Sequence, residues 1–196
     1  MALPTAAPER QLKHRRSIDV QIYARGNGLW EVDARIADVR TRETRMVTGL
    51  RPAGSPIHDM LVRLVVDEHF NILEAGAETT AMPYPGECDA YGDAYRALVG
   101  LNLMRGFRHD VKARLGGVRG CTHITELVQV LPTAVVQAFA DEVIDTRGDS
   151  ADSQQPFQID RCHALRSDGP TVRTYYPRWD RRPAPVAPAV PDSQTN

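Results

Sequence analysis

Two alternating apolar runs that meet at a glycine turn constrain this chain more than any other feature. Ile18, Val20 and Ile22 share one face between Ser17 and Tyr23, and Trp30, Val32, Ala34 and Ile36 share one face between Leu29 and Val39. A period of two is that of a strand with one buried face. Gly26-Asn27-Gly28 between the runs supplies the positive-φ positions of a tight turn, so they are expected to pair as an antiparallel hairpin. A third strand is expected near residues 44–50. Met60 to Asp67 is strongly apolar and β-branched, and Ile72 to Thr80 is its expected hairpin partner. His58 and Asp59 then stand at a strand entrance.

The period changes after Met82-Pro-Tyr-Pro-Gly86. Cys88 opens a segment with Tyr91, Tyr95, Leu98 and Val99 at helical spacing, ending at Gly100. A second helix is expected over residues 107–115, closed by Gly116-Gly117. A third begins after Cys121 and carries Ile124, Leu127, Val128, Leu131, Val135 and Ala138 on a broad apolar face. Pro132 removes an N–H and either kinks that helix or divides it in two. Gly148 to Gln155 reads as a polar linker, and a late strand is expected over residues 172–176. Strands followed by helices imply an α+β class: a mostly antiparallel sheet with helices packed on one face.

At 196 residues the chain is long enough for one well-packed core. We read residues 1–13 as a tail, residues 14–179 as a single α+β domain and residues 180–196 as a Pro-rich disordered tail. Basic and acidic residues number 24 and 25, so no global field recruits nucleic acid or a membrane surface. The start has no basic segment followed by an apolar one, and no run approaches ~18 apolar residues, which points to a cytoplasmic protein. Cys88, Cys121 and Cys162 are odd in number and widely spaced. That argues against a disulfide framework and for thiol chemistry or metal ligation.

Gly120-Cys121-Thr122-His123 places a thiol and an imidazole two residues apart where a helix starts. Unpaired N–H groups there favour a thiolate. Cys121 is thus a metal thiolate, a nucleophile activated by His123 or His58, or a small buried side chain. His58-Asp59 is a ligand beside a second ligand or base, or a turn in which Asp59 binds nearby backbone. Cys162-His163 lies in a separate segment with nothing to set its direction. His14, His69 and His109 read as solvated or turn histidines without a role, and Tyr84, Tyr91 and Tyr95 as core or pocket wall.

The segments Trp30-Glu-Val-Asp-Ala, Pro56-Ile-His-Asp-Met, Cys88, Leu98-Val-Gly and Gly120-Cys-Thr-His-Ile-Thr-Glu-Leu resemble a bacterial family, domain of unknown function 2889, over about residues 14–179. The family implies no activity. The order Gly54-Ser-Pro-Ile-His-Asp, apolar hairpin, glycine–cysteine turn, Leu-Val-Gly helix end, second helix and cysteine-initiated long helix is also similar to iron–sulfur cluster scaffold proteins. That resemblance implies a metal site at His58, Cys88 and Cys121 with Asp59 adjacent to the first, and we expect Asp59 or His123 to be the fourth ligand or proton acceptor. A histidine stands where the scaffolds have their first cysteine, and a mixed donor set suits one transition-metal ion, zinc or iron. The expected function is then a metalloenzyme acting on a small organic substrate, or a carrier of metal or iron–sulfur clusters to a partner protein. The alternatives are a metal-free enzyme with Cys121 as nucleophile and a non-enzymatic interaction module.

Overall fold

In the computed structural model, residues 2–148 and 154–182 are described, and they form two compact units divided between Phe139 and Ala140. Most of the expected linker 148–155 and the Pro-rich tail beyond residue 182 lie outside the described residues. No helix among the described residues is long and apolar enough to cross a membrane.

The first unit is built on the expected hairpin. Strand β1, His14–Ala24, pairs antiparallel with β2, Leu29–Arg40, in unbroken register. Gly26 and Gly28 take φ values of 74° and 75°, which a residue with a Cβ rarely adopts. The expected single strand near residues 44–50 is instead a small separate hairpin, β3 (Thr44–Met46) and β4 (Gly49–Arg51). Gly49 at φ 129° reverses the chain after Val47-Thr48, so the segment cannot run straight.

Strand β5, Pro56–Asp67, returns to pair with β2, and β6, Ile72–Ala81, pairs with β5. The resulting antiparallel sheet has the order β1-β2-β5-β6. Between β5 and β6 the Asp67 carboxylate accepts hydrogen bonds from the N–H groups of His69 and Asn71, at 2.9 and 2.8 Å, which ties the turn.

One face of the sheet is apolar. Val32, Ala34 and Ile36 of β2 and Met60, Val62 and Leu64 of β5 are all buried, as the alternation requires. Three helices supply the other half of the core: α1 (Phe107–Leu115) through Phe107, Val111 and Leu115, α2 (Thr122–Val128) through Ile124, Leu127 and Val128, and α3 (Leu131–Phe139) through Leu131, Val135 and Phe139. The class is α+β, as the sequence implies. Helix α1 falls on its expected residues. It ends at Gly116, where a Cβ would lie 2.4 Å from the Lys112 carbonyl oxygen. Pro132 divides the third expected helix rather than kinking it, because it sits in the first turn of α3 where no N–H is needed.

The expected helix from Cys88 is shorter and later. It is a 3-10 helix over Gly92–Leu98, and Cys88 itself lies in a preceding turn with its N–H on the Tyr84 carbonyl at 3.0 Å. Gly92 meets the sheet so closely that a Cβ would stand 2.5 Å from the Ala77 carbonyl oxygen. In the second unit the expected strand over 172–176 is a helix, α4 (Pro170–Tyr175). Pro170 at its start supplies a φ already suited to a first turn.

Candidate metal centre

The apolar face of β2 does not end at Ile36. The next inward position is Asp38, and its side chain is only 2% exposed. A buried carboxylate must be matched by charge and hydrogen bonds. The register supplies them: Arg16 of β1 stands directly across from Asp38 on one side and His58 of β5 on the other. Arg16 binds the carboxylate at both oxygens, Nε to Oδ1 and Nη2 to Oδ2, each at 2.8 Å. His14, diagonal on the same face, brings Nε2 to 3.0 Å from Oδ1, and His58 brings Nδ1 to 3.0 Å from Oδ2. The pairing of β2 with β5 is interrupted just beyond, between Asp38 and Val39, a bulge that marks the edge of the cluster.

Helix α2 completes it from above. Cys121 is the N-cap residue, and His123 in the first turn stacks its ring over that of His58 with centroids 3.8 Å apart. Its Nε2 lies 3.9 Å from Asp38 Oδ2. The start of α2 is held by the buried Tyr95, whose hydroxyl donates to the Cys121 carbonyl at 2.8 Å and lies 3.0 Å from the Thr125 hydroxyl. One turn on, Glu126 accepts a hydrogen bond from Arg16 Nη1 at 2.7 Å. Arg16 thus ties the helix to the sheet.

Asp38, His58 and His123 each offer one donor atom, all within 4.8 Å of one another. An ion bound at about 2.0–2.2 Å by nitrogen and oxygen donors separates them by roughly 3–3.5 Å. The two pairs with Asp38 stand at 3.0 and 3.9 Å and the pair of imidazoles within 4.8 Å, so the three residues are able to hold a metal ion after ring shifts of about an ångström. Arg16 at both oxygens and His14 at Oδ1 hold the carboxylate in place, as hydrogen-bond partners of a metal-ligating carboxylate do. The His58 and His123 side chains are 15% and 26% exposed and those of Arg16 and His14 33% and 46%, so solvent reaches the groups around the buried Asp38.

The charges follow from this packing. Burial pushes the Asp38 carboxyl up, but the hydrogen bonds and charge of Arg16, with the hydrogen bonds of His58 and His14, outweigh it and hold the group at about 2. His58 is pushed below its ordinary 6.5 by burial, against the pull of Asp38, and His123 likewise by burial and then by His58. Both rings are neutral at pH 7, the form that ligates metal. For the metal-free protein the unfolded chain binds more protons than the fold as pH drops below 6.5, so stability falls through that window and falls again between 3.8 and about 2 as Asp38 protonates. Urea midpoints measured from pH 8 to pH 5 should therefore decline, and a His58→Gln/His123→Gln variant should show a flatter profile. A wild-type midpoint that holds constant or rises on acidification contradicts this arrangement.

Of the residues expected from sequence to bind metal or act in catalysis, the structure brings His58 and His123 together and separates the others. Asp59 follows His58 in a strand, so it points to the opposite face, where Arg35 binds it through Nε at 2.7 Å. Cys88 lies in the turn before the 3-10 helix and is outside the donor cluster. Cys121 is adjacent without belonging to it: its Sγ is 3.8 Å from His123 Nδ1, the ring nitrogen on the other side from Asp38, and 3.8 Å from Met60 Sδ. His14 is 46% exposed, in keeping with its reading from sequence as solvated, but it is also an Asp38 partner. Asp38 and Arg16 were not anticipated. The signal for Asp38 was a carboxylate two residues past Ile36, in register with the apolar face.

An α+β protein with one buried carboxylate and two imidazoles able to hold a metal ion is the class that fold and site define. Residues 14–137 match the model of the family described as protein of unknown function (DUF2889), and the chain belongs to that family. The match spans β1 through most of α3 and so contains Arg16, Asp38, His58 and His123. No curated protein and no solved structure matches the chain, so the likeness to iron–sulfur scaffolds has no support from either comparison.

Proposed function

We propose that the protein is a metalloenzyme holding one zinc or iron(II) ion between Asp38, His58 and His123 and acting on a small organic substrate. The observation that carries this reading is the convergence of one carboxylate and two imidazoles, from three separate segments, with donors within 4.8 Å. Closed structural zinc sites use four protein ligands, whereas three leave a position for substrate or water. Two histidines and one carboxylate are also the donor set of many mononuclear iron(II) sites. An ion there supplies Lewis-acid chemistry. The chain's own groups prepare the site: Arg16 and His14 hold the Asp38 carboxylate ionised and fixed, and the Cys121 thiol beside His123 Nδ1 leaves Nε2 for the ion.

Metal analysis of protein purified without a histidine tag tests this. We expect close to one equivalent of zinc or iron, falling below ~0.2 in His58→Ala and in His123→Ala and unchanged in Cys88→Ser. Wild-type protein below ~0.2 equivalents, or alanine variants as full as wild type, refutes it. The contact of Cys121 Sγ with His123 Nδ1 favours a second reading, a thiol nucleophile with a histidine base, and metal-poor wild-type protein is the outcome it requires.

A further inference from the structure

Four cationic or imidazole side chains converge at one corner of the main sheet. Lys13 immediately precedes β1, His14 opens it, Arg40 closes β2 and Arg42 follows, and the register that pairs His14 with Arg40 brings all four together. They line an open depression of about 500 Å³ that no aspartate or glutamate lines. Three of the four other arginines on this sheet find carboxylates: Arg16 takes Asp38, Arg35 takes Asp59 and Arg63 takes Asp33. At this corner the Lys13 ammonium donates to Gln11 Oε1 at 2.7 Å. Among the described residues, no carboxylate lies within ion-pair distance of Lys13, Arg40 or Arg42. Arg40 is also half-buried, where an unmatched guanidinium is costly and a planar two-oxygen anion fits its fork of donors.

The depression is joined to the metal cluster through one residue. The His14 ring that lines it places Nε2 3.0 Å from Asp38 Oδ1. Resting on the reading of Asp38, His58 and His123 as a catalytic centre, we propose that Lys13, His14, Arg40 and Arg42 seat the anionic group, a carboxylate or a phosphate, of a small-molecule substrate whose reacting end lies beyond His14 at that centre. The substrate is therefore an organic anion. The protein's near-zero net charge does not oppose this, because the attraction is local to a concave corner of one sign.

The test uses the full chain stripped of metal, titrated calorimetrically at low salt with inorganic pyrophosphate and with tricarballylate. We expect saturable binding of at least one probe, weakened about tenfold or more in Arg40→Ala/Arg42→Ala and largely restored in Arg40→Lys/Arg42→Lys. The preferred probe tells phosphate from carboxylate. Because the titration is done without metal, a failure of the metal reading leaves it interpretable, and the arginine variants should retain metal as wild type does. The proposal is overturned if neither probe binds or if the alanine variant binds as well as wild type. It is equally overturned if a single-stranded oligonucleotide is retained through these arginines while both small anions are not.

Discussion

Asp38→Asn should lower the stability of the metal-free protein by about 3 kcal/mol, the lower end of the cost of breaking a buried ion pair, because Arg16 keeps partial exposure and Glu126. For a chain of this length that is a fall in melting temperature of about 6–12 °C. The carboxylate faces donors at both oxygens, two from Arg16 and the rings of His14 and His58. An amide turns one of its two ends into a donor and leaves that end facing donors. On the proposed metal reading, occupancy should drop with it, since Asp38 is one of the three ligands that reading requires. Asp33→Asn is the control: its pair with Arg63 lies on the outer face with Arg63 62% exposed, and such pairs contribute about 0–1 kcal/mol. Equal shifts for the two variants, by differential scanning calorimetry, would show that Asp38 is not the centre of a buried network.

The second large effect comes from the opposite end of the same strand. Phe139 is fully buried, and its ring stands 4.9 Å from both Trp30 and Phe70, so Phe139→Ala should cost about 3–5 kcal/mol through lost contacts and an unfilled cavity. Trp30 and Asp38 are eight residues apart on β2, roughly 26 Å at the usual rise of a strand. Metal occupancy of the folded Phe139→Ala protein should therefore match wild type. The two variants thus separate loss of core from loss of site. A Phe139→Ala protein as stable as wild type would place the tertiary core elsewhere.

Local periodicity carried much of the architecture. The β1–β2 hairpin, the β5–β6 pair and α1 lie where alternation, glycine turns and helical spacing put them, because each reports a burial pattern that repeats over several residues. It misled where the segment was short. A single strand was expected where Gly49 makes a turn, a strand where Pro170 starts α4, and a helix from Cys88 where the chain first has to meet the backbone of β6 at Gly92.

For the site, residue types were legible and partners were not. His58 and His123 stood out as imidazoles near element boundaries, but adjacency along the chain suggested Asp59 as the acid beside His58. In a strand neighbours point to opposite faces, so Asp59 serves Arg35 on the other face of the sheet and the acid that meets His58 is Asp38, 20 residues earlier. The Cys121-Thr-His123 pair likewise read as one site, yet the thiol touches the far nitrogen of the ring that faces Asp38.

The sequence by itself determined the class, the two main hairpins, the inward face of β2 and the start of α2 at Cys121, because these depend on spacings of a few residues and on backbone angles only glycine or proline favours. Only the tertiary structure decided that Arg16, Asp38 and His58 form one row, that His123 closes over it and that Lys13, His14, Arg40 and Arg42 share a corner. Those groupings depend on strand register and on where a helix lands. A one-residue change of register sends every side chain of a strand to the other face, and nothing local to a strand records which partner it will meet.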